Sequence, residues 1–215
     1  MPAALALWLT ELRPALESGL RALGLELPAT AQTQLLIYIG ELYKWNSAYN
    51  LTAVRDPQGM LARHVLDSLS VLPLVSGRLL DVGAGAGLPG IILAIANPAL
   101  NVSVLDSNGK KARFMRHAVR TLGLTNVQVE EARVDALKPT QGFDCITSRA
   151  FASLGEFFDA TAHLLAPGGQ WLAMKGKLED AELAAVPGSV QILETRRLSV
   201  PGLPEARHVV IAALH

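Results

Sequence analysis

Asp81, Gly83, Gly85 and Gly87 stand at alternate positions of "LLDVGAGAGLPG" (79–90), at the end of the apolar run "RLLDV". Glycine reaches backbone dihedrals closed to other residues and carries no Cβ, so a turn of this kind lets a small molecule approach the main chain. Two ligands fit such a turn. "GAGLPG" (Gly85, Gly87, Gly90) spells G-x-G-x-x-G, and Asp106 follows at about the distance of the acid that holds a dinucleotide ribose, which would make the chain an NAD-dependent oxidoreductase. That match, however, begins three residues after the apolar run, whereas Gly83 follows it at once and lies behind Asp81. A carboxylate there repels a pyrophosphate and suits a ligand with ammonium and sulfonium groups, so the turn favours S-adenosylmethionine. Asp106 serves either ligand, because both carry a ribose diol and a carboxylate accepts hydroxyl hydrogens at roughly 1.5 to 3 kcal/mol each. Its alternative role is that of a solvated residue at a strand end.

Other side chains with chemistry to offer are sparse. Cys145 is the only cysteine and sits in "FDCITS", which suggests a small core residue and a reducing compartment such as the cytoplasm. The histidines have no metal-ligand spacing with acids or cysteine, and no metal is expected. Lys plus Arg number 19 and Asp plus Glu number 19, so the overall charge does not mark a partner. Locally, "KKARFMRHAVR" (110–120) holds five basic residues and no acid, which reads either as a solvated helix face or as a set of phosphate contacts. No apolar run is long enough to span a membrane, and the start "MPAALALWLTELRP" lacks the layout of a signal peptide.

The pattern around these residues decides how they are placed. Apolar residues at three- and four-residue steps predict helices over 3–25 and 30–47, and a third over 57–75, with Asp56 as its N-cap and Pro57 at its first position. From Arg78 on, strand-like and helix-like runs alternate, which implies a mostly parallel sheet with helices on both faces. The expected strands are "RLLDV", "NVSVLDS", "NVQVEEA", "FDCITS" and "GQWLAMK", with helices near 89–96, 110–122, 154–166 and 177–185. "VQILETRRLSV" and "RHVVIAALH" are joined by "PGLPEA" and suit a closing antiparallel hairpin. The chain thus divides into a helical extension (1–60) and an α/β domain (61–215), a seven-stranded outline like that of class I S-adenosylmethionine-dependent methyltransferases.

Several stretches together resemble the RsmG (GidB) family of bacterial 16S ribosomal RNA guanine-N7 methyltransferases. They are "KWNSAYNLTAVRD", "RHVLDSL", "DVGAGAGLPGIILAI", "LDSNGKKARF", "SRAFASL" and "MKGK", in that order between residues 44 and 177. The resemblance implies that Gly83 and Leu88 line the donor crevice, Asp106 holds the ribose, Val134 and Asp135 meet the adenine and Arg149 closes the site. It implies 16S ribosomal RNA as the partner, met within the small subunit or an assembly intermediate, and a monomer is expected. A non-catalytic ribosome-binding protein on the same fold is the other alternative.

Guanine N7 bears a free lone pair beside O6 and needs no deprotonation. Catalysis would then rest on alignment, and no general base is assigned. Arg63 and His64 of "RHVLDSL", Arg149, and Lys175 of "MKGK" are the residues expected to grip guanine and nearby phosphates. His64 has a second reading, a helix residue bonded to Asp67 one turn on. Trp45, Tyr49 and Asn50 could meet a splayed base, but the expected role of Trp45 is to pack the helical head onto the sheet domain.

Overall fold

The computed structural model describes residues 3–149 and 151–215, with side chains from Thr10 onward; Ala150 of "SRAFASL" and the first two residues of the 1–60 extension lie outside it. Helices α1 (Ala3–Ala22) and α2 (Ala29–Tyr49) form the head. The segment after Asp56 is helical without a break to Leu69 but changes type along its length. It runs as α3 (Pro57–Met60), a π-helical stretch (Leu61–Leu66), α4 (Asp67–Leu69) and a 3₁₀ turn (Leu72–Leu74). Asp56 caps α3 by accepting from Gly59 N at 2.7 Å. The π-helical stretch carries Arg63 and His64, and its wider turn shifts the residues after it around the axis.

The sheet comprises β1 (Arg78–Val82), β2 (Asn101–Leu105), β3 (Val127–Glu130), β4 (Phe143–Ser148), β5 (Leu165–Lys175), β6 (Val190–Leu198) and β7 (Arg207–Leu214), in the order β3-β2-β1-β4-β5-β7-β6. Helices α5 (Gly90–Ala96), α6 (Gly109–Leu122), α7 (Leu154–Thr161) and α8 (Asp180–Ala184) make the crossovers. The expected helix over 154–166 stops early: a 3₁₀ turn (Ala162–Leu164) follows it, and β5 already starts at Leu165. The hairpin forms as expected, but its returning strand β7 is inserted between β5 and β6 and is antiparallel to both, which leaves β6 at the edge.

Alternation along the strands separates two cores. Leu79, Val102, Val104, Cys145, Leu172 and Val209 face one side, in a single cluster with Leu35 and Ile39 of α2, Ile92 of α5 and Phe114 of α6. Leu80, Val82, Ile146, Trp171 and Val210 face the other, against Phe157 and Phe158 of α7. From β1 the chain winds outward through β2 and β3 and then returns to the other flank of β1 with β4. In open α/β sheets the crevice beyond that reversal, at the carboxyl ends of the strands, is where ligands bind.

Candidate active site

The glycine turn leaves β1 at that reversal. Gly83, Gly85 and Gly87 all have φ between +62° and +86°. Ala84 N donates to Leu105 O at 2.9 Å and so ties the turn to the end of β2. The glycines divide the work. Gly83 lines the crevice. A side chain on Gly85 would meet nothing closer than 4.0 Å, whereas one on Gly87 would strike Ile91 of α5 at 2.3 Å. Leu88 is buried and Gly87 makes room for the helix, so neither is among the residues lining the crevice. From behind, Tyr38 of α2 donates to Ala86 O at 2.8 Å, so the helical head braces the turn.

Asp81 is wholly buried. Its Oδ2 accepts from Gly90 N, at the start of α5, at 2.7 Å, while Oδ1 has no hydrogen-bond partner among the described residues. Burial pushes this carboxyl up to about 7, against the opposing pull of the Gly90 N–H and Arg149. A buried acceptor without a partner is costly and marks a place for a donor.

The crevice measures about 260 Å³ and is lined by Gly83, Asp106 and Val134 with Leu105, Ala132 and Phe151, while Asp81, buried beneath the turn, and Gly85 are not among its lining residues. Asp106 Oδ2 accepts from Gly85 N at 2.9 Å and Oδ1 from Asn108 N at 2.9 Å, while Lys111 Nζ stands off at 3.4 Å. With about two acceptor directions on each oxygen, Oδ1 keeps one free, and Oδ2 frees another when the long Lys111 contact gives way. Asp135 is not among the lining residues: its exposed side chain turns back to Arg133 Nε at 3.3 Å.

Arg63, His64, Arg149 and Lys175 are separated widely in sequence, yet they line one cavity of about 400 Å³ together with Asp67, Arg207 and His208. Asp67 is its anchor. Its buried carboxylate accepts from Arg149 Nη1 at 2.8 Å and from Arg207 Nε at 3.2 Å. Arg149 also donates to Arg63 O at 3.2 Å. Lys175 pairs with Glu182 at 2.8 Å, and Arg63 with Glu205. The His64 ring does not bond Asp67, whose backbone N–H donates to His64 O instead. Nε2 of the ring meets Thr52 Oγ1 at 2.8 Å, and the Asp67 carboxylate is taken by the two arginines. Burial lowers the His64 ring to about 4, with Arg149 adding to the effect, so it is neutral at physiological pH. Arg149 faces this cavity and Phe151, two residues on, faces the donor-side crevice, so one short segment after β4 links them.

"NLTAVRD" shapes this cavity rather than filling it. Asn46 Nδ2 donates to Val54 O at 3.0 Å and its Oδ1 accepts from Thr52 N at 2.9 Å, which folds the loop so that Thr52 reaches His64. Asn50 sits in the left-handed region at φ 50° and accepts from Arg55. Trp45 packs edge-on against Phe114 and is stacked on Tyr49. Asp67, Arg207 and His208 were missed by sequence reasoning. The acid of "RHVLDSL" was a signal for the first; nothing local marks the other two.

The model of the family described as rRNA small subunit methyltransferase G (GidB) matches residues 31–210. The chain belongs to this family. A ribosomal RNA small subunit methyltransferase G from Chromohalobacter salexigens is 57% identical over 188 residues, which cover 87% of this chain and 90% of that protein. Its namesake from Laribacter hongkongensis is 51% identical over 200 residues, 93% of this chain and 97% of that one. Among solved structures, the N-methyltransferase NodS from Bradyrhizobium japonicum, in complex with S-adenosyl-L-homocysteine, superposes with TM-score 0.56 at 13% identity over 80% of this chain and 98% of that one. At that identity the likeness shows a shared fold. It agrees with the class I methyltransferase architecture expected of the α/β pattern, with β7 turned against its neighbours.

Proposed function

We propose that this methyltransferase G family member transfers the methyl group of S-adenosylmethionine to N7 of a guanine in 16S ribosomal RNA, by alignment and without a general base. The observation that carries the reading is the pair of cavities, one lined by Gly83 and Asp106 with the buried Asp81 two residues before Gly83, the other lined by arginines and a lysine. An oxidoreductase is disfavoured by Asp81, because its carboxylate occupies the first N–H of α5, where a dinucleotide pyrophosphate would have to sit.

When bound, S-adenosylmethionine supplies a methyl group made electrophilic by a positively charged sulfur. The partnerless Oδ1 of Asp81 is suited to its ammonium, Asp106 to its ribose, and the apolar wall of Val134 and Leu105 to its adenine. Leu88 and Asp135 act, in this reading, through the backbone shape of the turn and of the segment after β3, and Gly85 and Gly87 by setting that turn. On the acceptor side, Arg149, Arg63 and Lys175 offer donors to O6 and to phosphate, with Arg207 beside them. The carboxylates of Asp67, Glu182 and Glu205 offset these cations, so positive charge developing on the purine is not strongly opposed. Neutral His64 contributes shape and a hydrogen bond and takes no proton. Residues 1–60 serve as an extension that braces the turn of the 61–215 domain. The substrate is met by a monomer in the cytoplasm, as the small subunit or an assembly intermediate.

Donor affinity should then depend on pH. In the free protein Asp81 is largely protonated below about 7 and cannot pair with an ammonium. Calorimetry should show affinity for S-adenosylmethionine falling roughly tenfold from pH 7.5 to 6, in step with the ionised fraction. Asp81→Asn should bind more weakly and lose this dependence. Stability has the opposite sign: an acid with a raised folded-state pKa favours folding while protonated, and that advantage is lost as pH rises from about 3.8 to about 7. Above pH 7, Asp81→Asn should therefore melt higher than the parent, by up to about 4 kcal/mol in stability.

The function is tested by incubating the protein with labelled donor and small subunits or their precursors that lack the modification, and mapping the product. One labelled guanine, methylated at N7, is the expected result. No transfer at any assembly stage would favour the non-catalytic alternative, and label on another atom would overturn the N7 assignment.

A further inference from the structure

A second feature lies outside both cavities. Helix α6 presents Arg113, Arg116, His117 and Arg120 on one face, at the three- and four-residue steps that bring side chains together on a helix. With Trp45 of α2 and Glu131 after β3 they enclose an open groove of about 430 Å³. Trp45 is the centre of a ring cluster, stacked on Tyr49 at 5.2 Å and tilted against His117 at 4.8 Å between centroids.

The charges in this groove are unequal. Arg116 is paired with Glu131 at 2.6 Å and His117 with Glu41 at 2.6 Å. Among the described residues Arg113 and Arg120, both exposed, have no ion-pair partner, and neither has Lys110 at the start of the same helix. In a chain with 19 basic and 19 acidic residues in all, this leaves a local positive excess beside an aromatic wall. Arginines with an interleaved aromatic stack match a single nucleic-acid strand, whose phosphates take the guanidinium forks and whose unstacked bases take the rings.

The groove also opens toward the donor crevice. Gly109 and Glu131 line the groove, while Ser107 and Ala132, two residues before the one and directly after the other, line the crevice. The acceptor cavity lies on the opposite flank, at the ends of β5 and β7. An RNA engaging both would cross the mouth of the crevice.

We infer that the α6 groove is a dock for single-stranded RNA flanking the target nucleotide, with Arg113 and Arg120 on its phosphates and the Trp45 stack beside its bases. This rests on the rRNA methyltransferase reading above and adds to it a binding surface separate from the reacting groups. The test is the double charge reversal Arg113→Glu/Arg120→Glu, both at exposed positions, assayed for methyl transfer to small subunits lacking the modification. KM for the subunit should rise about tenfold or more, with kcat and the affinity for S-adenosylmethionine unchanged. The salt dependence of binding to a 16S ribosomal RNA transcript should flatten by about 1.4 in slope, for two phosphates at about 0.7 each. Arg113→Lys/Arg120→Lys should recover most of the affinity, since the charge is retained. A reversed variant with parental KM and salt slope would overturn the dock. So would a loss matched by weaker donor binding, which would mean that the change acts through the crevice. A parent protein that methylates no RNA defeats the functional reading itself, whereas a methylating protein indifferent to the reversal defeats the dock alone.

Discussion

Asp106→Ala is expected to weaken S-adenosylmethionine binding by about 100-fold, near 2.7 kcal/mol, when measured by calorimetry. The carboxylate stands at the crevice with one free acceptor direction and another lightly held by Lys111 at 3.4 Å. Hydroxyl hydrogen bonds to a charged acceptor are worth roughly 1.5 to 3 kcal/mol apiece, and the alanine removes them all. It also releases Gly85 N and Asn108 N, the two amides that Asp106 holds at 2.9 Å, so the turn loosens as the ligand contact disappears. Asp106→Asn keeps the shape with half the acceptors and no charge, and should fall between the two. Lys111→Ala, in contrast, should leave affinity equal or slightly improved, because it removes a competitor for Oδ2. Parental affinity in Asp106→Ala would place the ribose elsewhere.

Asp67→Ala should have the largest effect on the protein as a whole. The buried carboxylate is the shared acceptor of Arg149 and Arg207, and breaking a buried pair on one side commonly costs about 3 to 5 kcal/mol because the remaining charge is left without a counter-ion. For a chain of this size that corresponds to a melting temperature lower by roughly 10 °C. Transfer should fall further than stability explains. Arg149 would lose its hold between the two cavities, and misplacement of a positioning group by about 1 Å can cost roughly 100-fold. Measured below the variant's melting temperature, kcat on small subunits should drop by about that factor while donor affinity changes less. A variant that melts early but turns over at the parental rate would reduce Asp67 to a structural ion pair.

These two acids illustrate what can be read from the chain and what cannot. Asp106 was legible because its signal is local: a strand, an acid at its end, and a glycine turn just before it in sequence all lie within thirty residues or so. The alternation of strands and helices was legible for the same reason, since period and punctuation are properties of short windows. Arg63, His64, Arg149 and Lys175 were found through the resemblance, and the fold brings all four to one cavity. Arg207 and His208 were out of reach because they arrive on β7, whose insertion between β5 and β6 is a tertiary fact without a local pattern. Tandem helix periodicity also hid the π-helical stretch at Leu61–Leu66, since a single widened turn leaves the apolar spacing almost unchanged. Sequence favours the packing role for Trp45 over base contact. In the structure its ring packs on Phe114 and still borders the α6 groove, so packing and exposure to a ligand coexist in one side chain.

The methyl donor is expected at the carboxyl ends of β1, β2 and β3, between Asp81, Gly83 and Asp106. A crystal structure of the protein grown with S-adenosylhomocysteine tests it most directly. The ribose hydroxyls should lie on Asp106, the ammonium on Oδ1 of Asp81 and the adenine against Val134. Density for the ligand in any other cavity, or a crevice left empty beside a ligand bound elsewhere, would contradict it.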